Sequence, residues 1–123
     1  MKRIFLIIIT SILIFSIFAG CNNQIFDGNR SGNDAQFIMD YSVLNKTEVH
    51  EMKLEEGTLI NVNIVNNAGR LDILIVSISG SEIYRGDNVN SGQFKVEIPQ
   101  TDTYKFVVKG IKAEGSVSFK VED

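Results

Sequence analysis

The sequence contains one cysteine, one histidine, one proline and no tryptophan. One cysteine cannot form an internal disulfide, and a lone histidine without further cysteines lacks the usual ligands of a zinc site. His50 also has no partner for a histidine-based catalytic relay, and the alternation around it predicts a solvated strand residue. Neither a Gly-x-Ser-x-Gly elbow nor a Gly-rich phosphate loop occurs. We therefore expect a protein that is not an enzyme and holds neither a cofactor nor a metal.

Long apolar runs are also scarce, and the one present is short for a membrane span. Ile4 to Phe18 covers fifteen residues after the basic start Lys2-Arg3, whereas a spanning helix needs about 20. A basic start, a short apolar stretch and small residues at a cleavage point are typical of a secretory signal peptide. We expect residues 1–20 to be such a signal peptide, with a retained membrane anchor as the alternative.

The only cysteine follows this run directly. Phe18-Ala19-Gly20-Cys21 resembles the lipobox of bacterial lipoproteins. The resemblance implies that a diacylglycerol is attached to the sulfur of Cys21 and that cleavage falls between Gly20 and Cys21. It also implies an exported protein on the bacterial cell membrane, outside the cytoplasm, held by acyl chains such as palmitate. A free cysteine, or one paired with another chain, is the alternative.

Charge limits the choice of partner. Removal of residues 1–20 would leave 103 residues, the size of one small domain. Because Lys2 and Arg3 would leave with the signal peptide, the net charge would change from −3 to −5. This balance argues against nucleic acid, and against anionic lipid, as a partner.

The segment after Cys21 is rich in Asn, Gly, Ser and Asp, which is typical of a flexible tether. We therefore assign residues 21–35 to the lipidated cysteine and a flexible linker, and residues 36–123 to the folded domain. Asp27 to Asn33 also partly matches a calcium loop, because oxygen-bearing residues recur at alternate positions. The twelfth position is Ile38 instead of a carboxylate, and Arg30 adds positive charge, so calcium binding is disfavoured.

From residue 36 onward, apolar and polar residues alternate. The clearest alternating segments are 58–64, 94–98, 104–108 and 117–121, and weaker ones are 37–43 and 47–54. Alternation predicts strands with one buried face, and Gly- and Asn-containing turn signals separate these segments. We expect an all-β domain, an antiparallel, jelly-roll-like β-sandwich of about eight strands.

Residues 71–78 break the alternation, because both sets of side chains in the middle of this segment are apolar. A strand of this kind needs a cover on both faces. A bulge, or cover by the N-terminal segment, is one explanation. A partner that docks on Leu71, Ile73 and Ile75 is the other.

The stretch from Gly57 to Gly110 resembles the bacterial pre-peptidase C-terminal domain, a small β-sandwich of secreted proteins. The matching segments are Gly57-Thr58-Leu59-Ile60-Asn61-Val62, Leu71-Asp72-Ile73-Leu74-Ile75, Gly80-Ser81-Glu82-Ile83-Tyr84 and Asp102-Thr103-Tyr104-Lys105-Phe106-Val107-Val108. Asp102 stands where the family usually has a glycine. The resemblance implies an accessory, non-catalytic module, and some relatives aid attachment to polymers.

Together these features predict a membrane-anchored extracytoplasmic lipoprotein that binds a protein or polysaccharide of the cell envelope. Tyr84, Arg85, Asp87 and Asn88 are the predicted ligand contacts, because an aromatic and charged residues lie beside a Gly turn. The alternative is a structural accessory subunit that buries the apolar face of residues 71–75 against a larger envelope complex.

Overall fold

The computed structural model describes residues 23–123. These residues contain no helix, and hence no helix able to span a membrane. They form seven antiparallel strands: β1 (Ile25–Gly32), β2 (Gln36–Asn45), β3 (Thr47–Leu54), β4 (Leu59–Ser77), β5 (Glu82–Gly86), β6 (Gly92–Glu97) and β7 (Asp102–Val121). The predicted all-β antiparallel fold is confirmed, with seven strands instead of about eight. The predicted signal peptide and the lipidation site at Cys21 lie outside the described residues.

Two long strands build both layers of the sandwich. β4 has 19 residues, β7 has 20, and they pair with each other from Ile60–Val121 to Ser77–Tyr104. The first sheet contains β1, β2, the second half of β7, the first half of β4, and β6; the second sheet contains β3, the other halves of β7 and β4, and β5. Phe106 and Phe119 would lie about 43 Å apart along a straight strand. Their ring centroids are 5.1 Å apart, because β7 folds back on itself.

Both long strands bend at the same level. Their register shifts between Asn66 and Arg70, opposite residues 111–115. Gly69 and Gly115 have φ of 76° and 147° in these bends. A Cβ at Gly115 would lie 1.8 Å from the carbonyl oxygen of Val65, so the two strands approach too closely for any side chain there.

The bends change which residues face the core. In β4 the buried set is even-numbered before the bend and odd-numbered after it, and β7 changes in the same way. Bulges insert unpaired residues, and one extra residue reverses the face of every side chain that follows. The largest fully buried side chains from the two layers are Phe37, Met39, Leu44, Met52, Ile60, Leu71, Ile73, Ile75, Ile98, Tyr104, Phe106 and Phe119.

The prediction of a flexible linker over residues 21–35 is wrong for most of its length. Residues 25–32 form β1, which pairs with β2 from Ile25–Asn45 to Gly32–Phe37. Only Phe26 is half-buried, and the other β1 residues are exposed. An edge strand with both faces in water needs few apolar residues, so its composition is that of a tether. The described fold therefore includes β1, and residues 27–32 of the candidate calcium loop are extended strand, with Asn33 in the turn that follows.

The two ends of the sandwich differ in their connections. At one end, called the bend end, lie residues 23–25, 45–46, 66–70, 87–91 and 110–115, where the chain passes between the sheets. Backbone hydrogen bonds from Gly110 to Lys46 and from Val89 to Leu71 join these segments. At the other end, called the turn end, lie residues 33–35, 55–58, 78–81, 98–101 and 122–123, joined by bonds such as Val121 to Ala35.

Candidate binding site on the outer face of the first sheet

The predicted contact residues beside β5 are partly brought together. Arg85, Asp87, Asp72 and Lys109 line a shallow depression of about 200 Å³ on the second sheet. Arg85 is held by Glu82, with nitrogen–oxygen distances of 2.8 Å. Its guanidinium is therefore already paired with a carboxylate.

Asn88 shapes the turn that borders this depression. It has a left-handed φ of 54°, and its backbone N–H donates to Oδ1 of Asp72 at 2.7 Å. Nε of Arg70 donates to the same oxygen at 3.0 Å. Burial alone would raise the pKa of Asp72, but the Asn88 hydrogen bond and the Arg70 guanidinium together outweigh it and hold this pKa below its ordinary value. Asp72 thus serves as an anionic cap for the turn.

Tyr84 lies apart from these residues. Its ring packs against Phe94 with centroids 4.9 Å apart, and it is half-buried at the margin of the core. Alternation along β5 directs it inward while Arg85 points outward. The structure therefore separates the predicted aromatic contact from the charged ones.

The predicted partner face on β4 is the core of the domain itself. Leu71, Ile73 and Ile75 are 0%, 2% and 0% exposed and pack between the two sheets. The prediction of an open apolar face at these residues is wrong, because the bend shifts them to the inner side. The accessory-subunit alternative therefore loses the surface on which it was based.

In residues 71–78 the even-numbered side chains from Leu74 onward are apolar as well, and their position explains the broken alternation. Leu74 and Val76 lie on the outer face of the second sheet and are half-buried. Leu74 pairs with Val107, which pairs with Val49, so apolar residues form a row across three strands. Val49 is 42% exposed at the end of this row. Neighbouring apolar side chains therefore cover the outer face in part.

A polar cleft lies on the outer face of the first sheet. It encloses about 450 Å³ where β4, β6 and β7 meet, and the side chains that give it its character are Asn61, Asn63, Gln93, Lys95, Ser118 and Lys120. These residues are neighbours by register, since Asn63 pairs with both Gln93 and Ser118, and Asn61 with both Lys95 and Lys120. The cleft thus presents three amides, one hydroxyl and two ammonium groups on a rigid sheet.

The amides in this cleft are available to a ligand. Among residues 23–123, the side chains of Asn61, Asn63 and Gln93 make no hydrogen bond, whereas Nζ of Lys95 is 2.6 Å from Oε1 of Glu122. Each free amide offers donors and acceptors on one group. This site was not predicted from the sequence, because polar residues on the outer face of a strand give the same apolar–polar alternation whether they bind a ligand or only water.

His50 is not the solvated residue that alternation predicted. Its ring packs against Phe37 with centroids 5.1 Å apart, and Nε2 lies 2.7 Å from the carbonyl oxygen of Asn33. Arg30 of β1 lies over the same Phe37 ring, pairs with Glu48, and donates to the Val49 carbonyl at 2.6 Å. These contacts join β1 to β3 across the edge of the sandwich, so His50 has a structural task.

A chain of hydroxyls closes the turn between β4 and β5. Oγ of Ser77 lies 3.0 Å from Oγ of Ser79, which donates to Asp102 at 2.9 Å. The backbone N–H of Ser81 donates to Oγ of Ser77 at 2.8 Å. These bonds join the turn to the start of β7. Among the described residues, no group of three His, Cys, Asp or Glu side chains could hold a metal ion.

Solved structures resemble this fold. The periplasmic lysozyme inhibitor PliG of Aeromonas hydrophila, an inhibitor of g-type lysozyme, aligns with a TM-score of 0.50 and 13% identity over 79% of this chain and 88% of its own. The pre-peptidase C-terminal domain of a Bacillus anthracis collagenase aligns with a TM-score of 0.50 and 15% identity over 82% of this chain and 100% of its own. No family model and no curated protein matches the sequence. The likeness supports a β-sandwich similar to the pre-peptidase C-terminal domain.

Proposed function

We propose that this protein is an exported lipoprotein, anchored through Cys21, whose domain binds a hydroxyl-rich polymer of the cell envelope without catalysis. The observation that carries the proposal is the polar cleft on the first sheet. A lipid anchor beside a rigid binding face would keep such a polymer close to the membrane. The lipobox resemblance supports the anchor, and the periplasmic neighbour PliG supports the use of this fold outside the cytoplasm.

The chemistry of the cleft favours a carbohydrate ligand. Sugar hydroxyls both donate and accept, and so do the free amides of Asn61, Asn63 and Gln93. Two lysines at the cleft suit a carboxylate or phosphate substituent on the polymer. Of the two cleft lysines, Lys95 is already paired with Glu122, whereas Lys120 has no ion pair among residues 23–123. The ligand that fits is therefore a polysaccharide with occasional anionic groups.

The contacts of the reactive side chains support the proposed absence of catalysis. His50 is committed to Phe37 and the Asn33 carbonyl, and Ser77 to a structural hydroxyl chain. The neighbour PliG is an inhibitor, and the Bacillus neighbour is the pre-peptidase C-terminal domain of a collagenase. Both neighbours support the proposal of a binding or accessory module.

Co-sedimentation with insoluble peptidoglycan tests the proposal. The intact protein is purified in detergent and compared with the double variant Asn61→Ala/Asn63→Ala. We expect the double variant to bind about tenfold more weakly, because two hydrogen bonds of ordinary strength are lost. Asn67→Ala is the matched control, because Asn67 is an exposed asparagine in the bend of the same strand, outside the cleft. Equal binding by all three proteins, or by none, would contradict the proposal.

A further inference from the structure

The chain enters the domain at the bend end, and the entry point is fixed. Nδ2 of Asn45 donates to the carbonyl of Asn23 at 2.8 Å, while its Oδ1 accepts from the backbone of Lys112 at 3.0 Å. One side chain thus joins the entering chain, the β2–β3 turn and the bend of β7. Cys21 precedes Asn23 by two residues, which span at most about 7 Å. A lipid on Cys21 would therefore bring the bend end to the membrane surface.

Charge is segregated between the two ends. The bend end contains three cations and two carboxylates, and two of these cations also have a carboxylate partner beside this end, since Lys46 pairs with Glu48 at 3.4 Å and Arg70 with Asp72 at 3.0 Å. The third cation, Lys112, has no ion pair among the described residues. The turn end contains five carboxylates and no cation; the carboxylates are Asp34, Glu55, Glu56, Glu122 and Asp123. The acidic net charge argued against anionic lipid as a partner, but net charge does not describe this distribution. An anionic surface would therefore repel the turn end far more strongly than the bend end.

Two exposed apolar side chains accompany these cations. Ile25 is 47% exposed at the start of β1, and Ile111 is 45% exposed in the bend of β7. Ile111 pairs with Arg70 and precedes Lys112, while Ile25 pairs with Asn45 beside Lys46. Exposed apolar residues flanked by lysine and arginine are typical of surfaces that lie in a lipid interface.

We propose that the bend end docks on a bilayer containing anionic phospholipid. Lys46, Arg70 and Lys112 lie at the headgroups, and Ile25 and Ile111 enter the interface. The inference rests on the lipid anchor at Cys21 in the proposed function. Docking directs the turn end away from the membrane, and the polar cleft, which adjoins Leu59 and Val121 near that end, stays open to a polymer.

Depth-dependent fluorescence quenching tests this orientation. Asn67→Cys places a dye at the bend end, and Glu56→Cys places the same dye at the turn end, since Cys21 of the lipidated chain has no free thiol. Each protein is reconstituted into vesicles of phosphatidylcholine, with or without phosphatidylglycerol, that carry a headgroup nitroxide. We expect several-fold stronger quenching of the residue-67 dye, and a further increase with phosphatidylglycerol. Equal quenching of the two dyes would overturn the proposal.

Charge variants identify the contacts. Lys46→Gln/Lys112→Gln should abolish the increase that phosphatidylglycerol causes, whereas Lys53→Gln/Lys105→Gln, an equal loss of charge toward the turn end, should retain it. Equal responses of both pairs would contradict the assigned contacts. The mass of the N-terminal peptide separates the two proposals. An unmodified Cys21 would overturn the anchor and the docking together. A lipidated chain in which the two dyes are quenched equally would overturn the docking alone.

Discussion

The two sheets share their central strands but expose opposite chemistry. On the first sheet, β4 directs Asn61 and Asn63 outward, and the neighbouring strands add more amides, lysines and a serine. On the second sheet, the same strand directs Leu74 and Val76 outward, beside Val107. The paired bends of β4 and β7 thus separate a hydrated, ligand-accessible surface from one with a half-covered apolar row. The candidate site is placed on the first sheet because three amides without a side-chain hydrogen bond among residues 23–123 meet there in one cleft.

The largest effect is expected from a change that prevents the two sheets from joining. Gly115→Ala should destabilise the domain by about 2–6 kcal/mol through backbone strain and overpacking, because its Cβ would lie 1.8 Å from the Val65 carbonyl oxygen. Gly57→Ala is the control, since Gly57 also has a positive φ of 87° but no atom within 4 Å of the added Cβ; its cost should be about 1–2 kcal/mol. Urea denaturation of both variants measures the difference, and equal costs would contradict the close approach.

The next effect separates the inner and outer sides of the second sheet. Ile73→Ala should cost about 2–5 kcal/mol, because a fully buried side chain leaves a cavity. Leu74→Ala, one residue further and half-buried, should cost clearly less. Thermal and urea unfolding of the two variants test the assignment directly. A greater loss for Leu74→Ala would mean that the odd-numbered set is the outer one, as the docking-face prediction required.

A smaller effect compares the two buried tyrosines, one in each sheet. Tyr104 of the second sheet donates its hydroxyl to the Gln100 carbonyl, whereas among residues 23–123 the buried Tyr41 hydroxyl of the first sheet has no hydrogen-bond partner. Tyr104→Phe should therefore destabilise the domain by about 0.5–1.5 kcal/mol, while Tyr41→Phe should be neutral or stabilising by up to about 2 kcal/mol. Urea unfolding at neutral pH gives both values, and a destabilising Tyr41→Phe would show that its hydroxyl has a partner.

Tyr41 also gives this comparison a pH dependence. Burial raises the pKa of Tyr41 from 10.0 to about 12. The folded state therefore favours the neutral phenol, so this contribution to stability is complete below pH 10 and is lost as the pH rises through about 12. Tyr41→Phe should remove that part of the alkaline loss. An unchanged difference between the two proteins across this range would show that Tyr41 ionises equally well in the folded chain.

Local patterns in the sequence predicted the strands well and their surroundings poorly. The alternation of apolar and polar residues around Ile60, Phe106 and Phe119 correctly predicted that these side chains face inward, because a strand with one buried face has an apolar residue at every second position. The bends at Gly69 and Gly115 could not be predicted, since a bulge depends on how a partner strand pairs. Which side of residues 71–77 faces inward depends on those bends, and so the core residues Leu71, Ile73 and Ile75 were wrongly predicted as a docking face.

The candidate site shows a second limit of sequence patterns. β1 was missed because an edge strand buries little and so keeps the composition of a linker. The cleft was missed because Asn63, Gln93 and Ser118 come from three strands and become neighbours only through register. Arg85, Asp87 and Asn88 lie together beside β5 as expected, because they are close in sequence and a turn keeps them close in space; their role as ligand contacts stays a prediction. What is local in the chain was predicted, and what depends on pairing was not.

The smallest effect concerns the anionic cap of the second sheet. Asp72→Asn should cost at most about 1 kcal/mol at neutral pH, because its partner Arg70 is largely exposed and solvent screens the pair. The pKa of Asp72 is lowered in the fold, so its contribution is present above the ordinary value of 3.8 and is lost as the pH falls through the folded value. The stability curves of the native protein and the variant should therefore converge in acid. If the Asp72→Asn curve stayed parallel to the native one down to acid pH, the hydrogen bonds of Asp72 to Asn88 and Arg70 would contribute nothing specific to the charged form, and the turn would be held by its other bonds, such as the Val89–Leu71 backbone bond.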